Sequence, residues 1–137
     1  MDEHSGIRVL IVDDNQDLAR AMAMVLRHNG YDTAVAFNGH QAIEEAGSFR
    51  PTVVILDIGL PDRNGFDVAR TLRKDVGLDR ATIIAASAWE RDTMTSPENA
   101  EVIDDYIVKP INLSGLLKTL DRSSDDDQLG RGATSER

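Results

Sequence analysis

The sequence predicts an α/β fold: a doubly wound, five-stranded parallel sheet in the order 2-1-3-4-5, with helices on both faces and a short or irregular fourth helix. Two observations predict it. Ile7–Val12, Val53–Leu56, Ile83–Ala86 and Tyr106–Val108 are short, largely apolar runs, which suit strands covered on both faces. Segments with helical apolar spacing separate these runs, and right-handed crossovers between parallel strands then put helices on both sides of the sheet.

Taken in order, the first strand ends at Val12, and Leu18, Ala21, Met22, Val25 and Leu26 follow at the spacing of one helical face. Asn15 is the cap candidate and Gly30 the stop, where a left-handed residue costs least. Thr33–Phe37 is a weaker, alternating run suited to a sheet edge. Asn38 with Gln41 resembles a capping box that opens a second helix through Ala42, Ile43 and Ala46. Asn64 caps a third through Val68 and Leu72. Leu113, Leu116, Leu117 and Leu120 form the stripe of a last helix after Asn112. The fourth helix slot differs: Thr93, Thr95 and Pro97 oppose a regular helix, and Ser96 as cap with Pro97 first allows only a short one. Glu90–Ile103 is therefore expected to be the loosest ordered segment.

At 137 residues with 41% hydrophobic and 28% charged residues, the chain fits one domain, over 6–122, with a polar and acidic tail over 123–137 expected to be disordered. The net charge of −9 and a pI near 4.7 argue against a nucleic-acid surface, so no nucleic acid is expected among the partners. With no cysteine, disulfides and thiolate chemistry are excluded. No apolar stretch approaches a membrane span or a signal segment, so no membrane role is expected and the cytoplasm is the expected compartment. His4, His28 and His40 lack metal-ligand spacing, and no Gly-rich loop follows the first strand as nucleotide binding would require.

Ligands of such a sheet bind beyond the carboxyl ends of its strands. Strand one runs into Asp13-Asp14, strand three into Asp57, strand four ends at Ser87 and strand five at Lys109-Pro110. In the flavodoxin-like order 2-1-3-4-5 these strands are contiguous and the five polar residues converge. Two carboxylates about 4 Å apart repel by roughly 4 kcal/mol at an effective dielectric near 20, and a hard divalent cation such as Mg²⁺ relieves this. Lys109 adds a mobile positive charge and Ser87 a hydroxyl, completing the parts of an aspartyl-phosphate site.

Four segments together, Val9–Asn15, Asp57–Gly65, Ser87-Ala88 and Tyr106–Pro110, resemble the response-regulator receiver family of two-component signalling, over about residues 6–122. The resemblance implies Asp57 as phosphoacceptor. It implies Asp14, Asp57 and the Gly59 carbonyl as Mg²⁺ ligands, with Asp13 acting through a water. Lys109 and Ser87 would bind phosphoryl oxygens, Ser87 and Tyr106 would form the switch, and the Lys109–Pro110 bond would be cis. The implied phosphoryl donor is a histidine kinase or histidine phosphotransfer protein, with an unidentified downstream protein as output. Such a chain is not an enzyme beyond its own phosphorylation and dephosphorylation. Pro97 and Val102-Ile103 depart from the family's regular fourth helix and the Gly-Ala pair before its fifth strand.

Other readings compete. Tyr106 also suits a half-buried core aromatic, and Trp89 suits either packing or a lid over the site. A phosphate-independent interaction module would lack an acidic or lysine position, and none is lost. A phosphohydrolase needs a substrate pocket and cap domain for which 137 residues leave no room. With no DNA-binding helix pair following Arg122, a stand-alone receiver or a piece cut from a larger protein such as a hybrid histidine kinase is expected.

Overall fold

A computed structural model describes residues 6–88 and 96–121. Its five strands, β1 (Arg8–Val12), β2 (Asp32–Ala36), β3 (Val53–Asp57), β4 (Thr82–Ser87) and β5 (Asp105–Val108), form one sheet in the order β2-β1-β3-β4-β5. Every pairing is parallel. The helices are α1 (Gln16–His28), α2 (Gly39–Phe49), α3 (Gly65–Lys74), the single turn α4 (Pro97–Ala100) and α5 over 113–121.

Each helix starts where a capping side chain satisfies a free N–H. Asn15 accepts from the Leu18 N–H at 3.1 Å, Asn38 from Gln41 at 2.8 Å and Asn64 from Phe66 at 2.7 Å. Ser96 accepts from Asn99 at 3.2 Å and Asn112 from Gly115 at 3.0 Å. At α2 the Gln41 side chain reaches back to the Phe37 N–H, 2.9 Å, one residue before the cap that a regular capping box would engage. Gly30 follows α1 in a left-handed conformation, φ +95°, as its position after the last apolar residue predicts.

The two-residue period of a strand splits the core into two layers. Leu10, Val12, Val54, Leu56, Ile83 and Ala85 face α2 and α3, where Ala42, Ala46, Ala69 and Leu72 meet them. Val9, Ile11, Val53, Ile55 and Ile84 face α1 and α5, against Met22, Leu26, Leu116 and Leu120. Each fully buried Leu, Ile or Val stabilises by roughly 1.5–3 kcal/mol. β3 and β4 are buried along their whole length. β5 is not: it forms the second edge, half-buried, with Val108 51% exposed, although its composition reads as that of a covered strand.

Part of Glu90–Ile103 lies outside the described residues, and Trp89 and the 123–137 tail lie wholly outside them. The described part of Glu90–Ile103 is tied to α3. Arg70 donates to Asn99 Oδ1 at 3.0 Å, and Arg73 donates to the carbonyls of Val102 (3.1 Å), Leu78 (3.3 Å), Asp79 (3.1 Å) and Ala81 (2.9 Å). Arg73 also pairs with Asp104 at 2.8 Å, whose carboxylate accepts from the Ile83 N–H. One guanidinium thus joins α3 to the approaches of both β4 and β5. Arg73→Ala is expected to cost about 2–4 kcal/mol, because charged hydrogen bonds contribute roughly 1.5–3 kcal/mol each without adding fully. Urea unfolding measures it, and a loss under about 0.5 kcal/mol would mean that water replaces the side chain.

Candidate functional site

The carboxyl ends of β1, β3, β4 and β5 do converge. Asp13 and Asp14 follow β1, Asp57 and Ser87 end β3 and β4, and Lys109 follows β5. Lys109 Nζ stands between two carboxylates, 3.1 Å from Asp13 Oδ2 and 3.2 Å from Asp57 Oδ2. The Lys109 N–H donates to the Ser87 carbonyl at 2.7 Å, and the Lys109–Pro110 bond is cis. Asp14, Asp57, Gly59, Asn64, Ser87 and Lys109 line a cavity of about 450 Å³.

The three carboxylates differ in surroundings. Asp13 and Asp57 are buried, whereas Asp14 is exposed. The remaining Asp13 oxygen accepts from the Asn15 N–H at 2.9 Å, and Asp57 Oδ1 accepts from the Gly59 N–H at 3.0 Å. Carboxylate oxygens of Asp13, Asp14 and Asp57 all lie within 4.8 Å of one another. This all-oxygen set, with one exposed member left to meet solvent, fits a hard divalent cation.

Burial pushes the Asp57 carboxyl above its ordinary 3.8, against the Gly59 hydrogen bond and the Lys109 charge, with Asp13 adding a further push upward. For Lys109 burial is the largest single influence and opposes the charge, but Asp57 and Asp13 together outweigh it and hold the ammonium above 10.5. Ionising Asp57 is therefore harder in the folded chain, so stability falls as pH rises from 3.8 through the raised folded value. Lys109 contributes stability that is full below 10.5 and lost as pH rises through its own raised value. In metal-free buffer at pH 7, Asp57→Asn is expected to melt higher than the wild type. Calorimetry of both proteins checks this, and a lower melting temperature would show that Lys109 matters more than burial.

One cavity-lining residue, and one carboxylate of the same loop, had no site role assigned from sequence. Asn64 lines the cavity as well as capping α3. Asp62 crosses to α2, accepting from the Gly39 N–H at 2.7 Å and the His40 N–H at 3.0 Å. The Gly39 hydrogen bond first, and that of His40 next, keep its carboxyl below 3.8 despite desolvation. No periodicity announces a loop carboxylate's partner 23 residues away; only its place beside Pro61 and Asn64 hinted at a role. Tyr106 is half-buried on β5, opposite Ala85, and packs on the α3 side of the sheet.

Comparison with known proteins agrees with this geometry. The family model of the response regulator receiver domain matches residues 9–121. DNA-binding response regulator MtrA of Mycobacterium tuberculosis (strain H37Rv) is 42% identical over 103 residues, 75% of this chain and 44% of that protein. Response regulator ArlR of Staphylococcus saprophyticus is 33% identical over 111 residues, 80% of this chain and 49% of that one. This chain thus spans less than half the length of both. The chemotaxis protein CheY4 of Vibrio cholerae superposes with a TM-score of 0.75 at 30% identity, over 85% of this chain and 97% of that one. Response regulator TrrA of Thermotoga maritima, solved with Mg²⁺ and BeF, gives a TM-score of 0.72 at 30% identity, over 85% and 97%.

One expectation is corrected by these relatives. Nucleic acid was excluded on the charge of −9, yet MtrA is a DNA-binding response regulator. Net charge describes the surface of this chain alone. It carries no information on how that longer regulator meets DNA.

Proposed function

This chain belongs to the response regulator receiver family of two-component signalling, and from that premise we propose that Asp57 accepts a phosphoryl group and thereby switches partner binding. The observation that carries the proposal is the placement of Lys109 Nζ, 3.1 Å from Asp13 and 3.2 Å from Asp57, beside an open cavity. Clustered carboxylates are costly to desolvate, and titratable groups perturbed by burial and by one another gather at functional sites.

The donor is a histidine kinase or histidine phosphotransfer protein. An oxygen of the Asp57 carboxylate forms the new P–O bond as the P–N bond of the phosphohistidine breaks, and the departing imidazole nitrogen takes up a proton. The nucleophile is already ionised, so no base is needed to activate it. The Lys109 ammonium leaves Asp13 and Asp57 to donate to one phosphoryl oxygen, and the Ser87 hydroxyl donates to another. Asp14, Asp57 and the Gly59 carbonyl would hold Mg²⁺, with Asp13 reaching it through a water. When bound, that ion neutralises charge on the transferring group. The complex of TrrA with Mg²⁺ and BeF supports this assignment by relation. The chain catalyses only its own phosphorylation and dephosphorylation.

Ser87 draws toward the phosphoryl group and Tyr106 on the neighbouring β5 changes its packing in response. The receiver then controls a downstream protein, in the cytoplasm, either as a stand-alone domain or as part of a longer regulator. DNA becomes a partner by way of that regulator, as the name of MtrA suggests.

Intact-mass spectra after treatment with acetyl phosphate and Mg²⁺ test the proposal. The wild type should gain one phosphoryl group and Asp57→Asn none. Hydrogen exchange of the treated protein should change most around Ser87 and over 103–109. Equal labelling of both proteins, or of neither, would overturn the assignment.

A further inference from the structure

A second cavity lies at the opposite pole, at the amino ends of the strands: Arg8 opens β1, Thr52 precedes β3 and Ala81 precedes β4. Its volume is about 580 Å³, within the roughly 300–1,000 Å³ of small-molecule sites. Arg8, Arg50 and Arg80 all line it, which gathers three guanidiniums in a chain with 15 Lys and Arg and a net charge of −9.

Two of these guanidiniums are held by backbone carbonyls and not by acids. Arg8 Nε donates to the carbonyls of Phe49 (3.0 Å) and Arg50 (2.8 Å). Arg50 Nη1 donates to the Val76 carbonyl at 2.7 Å. That carbonyl belongs to a turn continued by Gly77 at φ +84°, a conformation that favours glycine. Asp79 also lines the cavity, but among the described residues no carboxylate lies within ion-pair distance of Arg8, Arg50 or Arg80. The Thr52 hydroxyl is engaged with the Arg8 backbone on both sides, at 3.1 and 3.2 Å. The guanidinium N–H groups left without a hydrogen bond among the described residues are both Nη of Arg8, Nε and Nη2 of Arg50 and the whole fork of Arg80.

We propose that this cavity binds a small molecule bearing an oxyanion, either a phosphate or a carboxylate. Guanidinium forks match both groups with paired charge-assisted hydrogen bonds. Anchoring by backbone carbonyls keeps two of the forks in place before a ligand arrives, which lowers the ordering cost of binding. Three guanidiniums around one cavity, none in an ion pair among the described residues and with Asp79 as the one carboxylate of the lining, leave positive charge in excess, and an anion relieves their repulsion. The site lies a full β3 length from Asp57, so its ligand is distinct from the phosphoryl group.

The test is a set of ¹H–¹⁵N spectra of the full chain in Mg²⁺-free buffer, titrated with inorganic phosphate and separately with citrate, the ionic strength held constant with sodium chloride. Saturable shifts are expected at residues 8, 50–52 and 77–81. Arg80→Gln and Arg8→Gln should each weaken binding at least about tenfold, while acetyl-phosphate labelling stays as in the wild type. Arg80 makes no hydrogen bond among the described residues, so its variant keeps the fold even where Arg8→Gln loosens it. Tighter binding of phosphate identifies a phosphate ester as the ligand class, and tighter binding of citrate a carboxylate. Shifts that fail to saturate, that chloride reproduces, or that centre on Lys109 would overturn the proposal, as would unchanged affinity in Arg80→Gln.

Discussion

Lys109→Ala should slow acetyl-phosphate labelling of Asp57 by about 10²–10³-fold, the usual cost of removing one donor aimed at developing transition-state charge. The reasoning starts from the 3.1 and 3.2 Å contacts that put one ammonium on two buried carboxylates. Without it, Asp13 and Asp57 face each other uncompensated. Breaking a fully buried pair costs about 3–5 kcal/mol. The Lys109 side chain is 25% exposed, so a smaller loss of about 1–3 kcal/mol is expected in metal-free buffer. Added Mg²⁺ should recover part of that stability, because a second cation then serves the same carboxylates, but should not restore the labelling rate. Labelling kinetics by mass spectrometry and urea unfolding with and without Mg²⁺ read both effects. A variant that labels at the wild-type rate would remove Lys109 from the transfer step.

Gly65→Ala is expected to destabilise the domain by about 1–3 kcal/mol or more and to slow labelling as well. A Cβ at Gly65 would lie 2.6 Å from Ile58 Cα and 2.8 Å from the Asp57 carbonyl oxygen. Both are backbone atoms, so the strain cannot be relieved by turning a side chain. The first residue of α3 sits directly on the chain at Asp57, and the Gly65 N–H donates to the Ile58 carbonyl at 3.0 Å. An added methyl must push α3 away or shift Asp57, and a displacement near 1 Å can cost about 10²-fold in rate. Ordinary helix propensity predicts the reverse sign, a gain of up to about 1 kcal/mol for Ala over Gly. Thermal unfolding together with labelling kinetics therefore discriminates sharply, and a stabilised, normally labelled variant would show that the close approach is absent.

Much of the fold was legible because it is governed by local rules. The caps Asn15, Asn38, Asn64, Ser96 and Asn112 are short polar side chains that satisfy N–H groups two or three residues on, so chain position alone reveals them. The convergence of Asp13, Asp14, Asp57, Ser87 and Lys109 was legible for a related reason. Once strands are parallel and their order is 2-1-3-4-5, the residue after each strand has nowhere else to go. The order 2-1-3-4-5 put β5 at an edge, but its half-burial was not legible, since an apolar composition states what a strand tolerates and not how fully its faces are covered.

The sequence by itself determined the alternation of strands and helices, their starts and stops, and the identity of the polar residues at the carboxyl pole, because each rests on contacts within a few positions. Only the tertiary structure decided which polar groups meet across long separations. Asp62 capping α2 and Arg73 joining α3 to β4 and β5 are examples. So is the grouping of Arg8 at the start of β1 with Arg50 and Arg80 in two loops, brought to one cavity by the register of β1, β3 and β4. The physical reason is common to all of them. Hydrophobic burial is non-directional and can be read from pattern, whereas a hydrogen bond or an ion pair needs two specific atoms about 3 Å apart, and only the folded chain sets that distance.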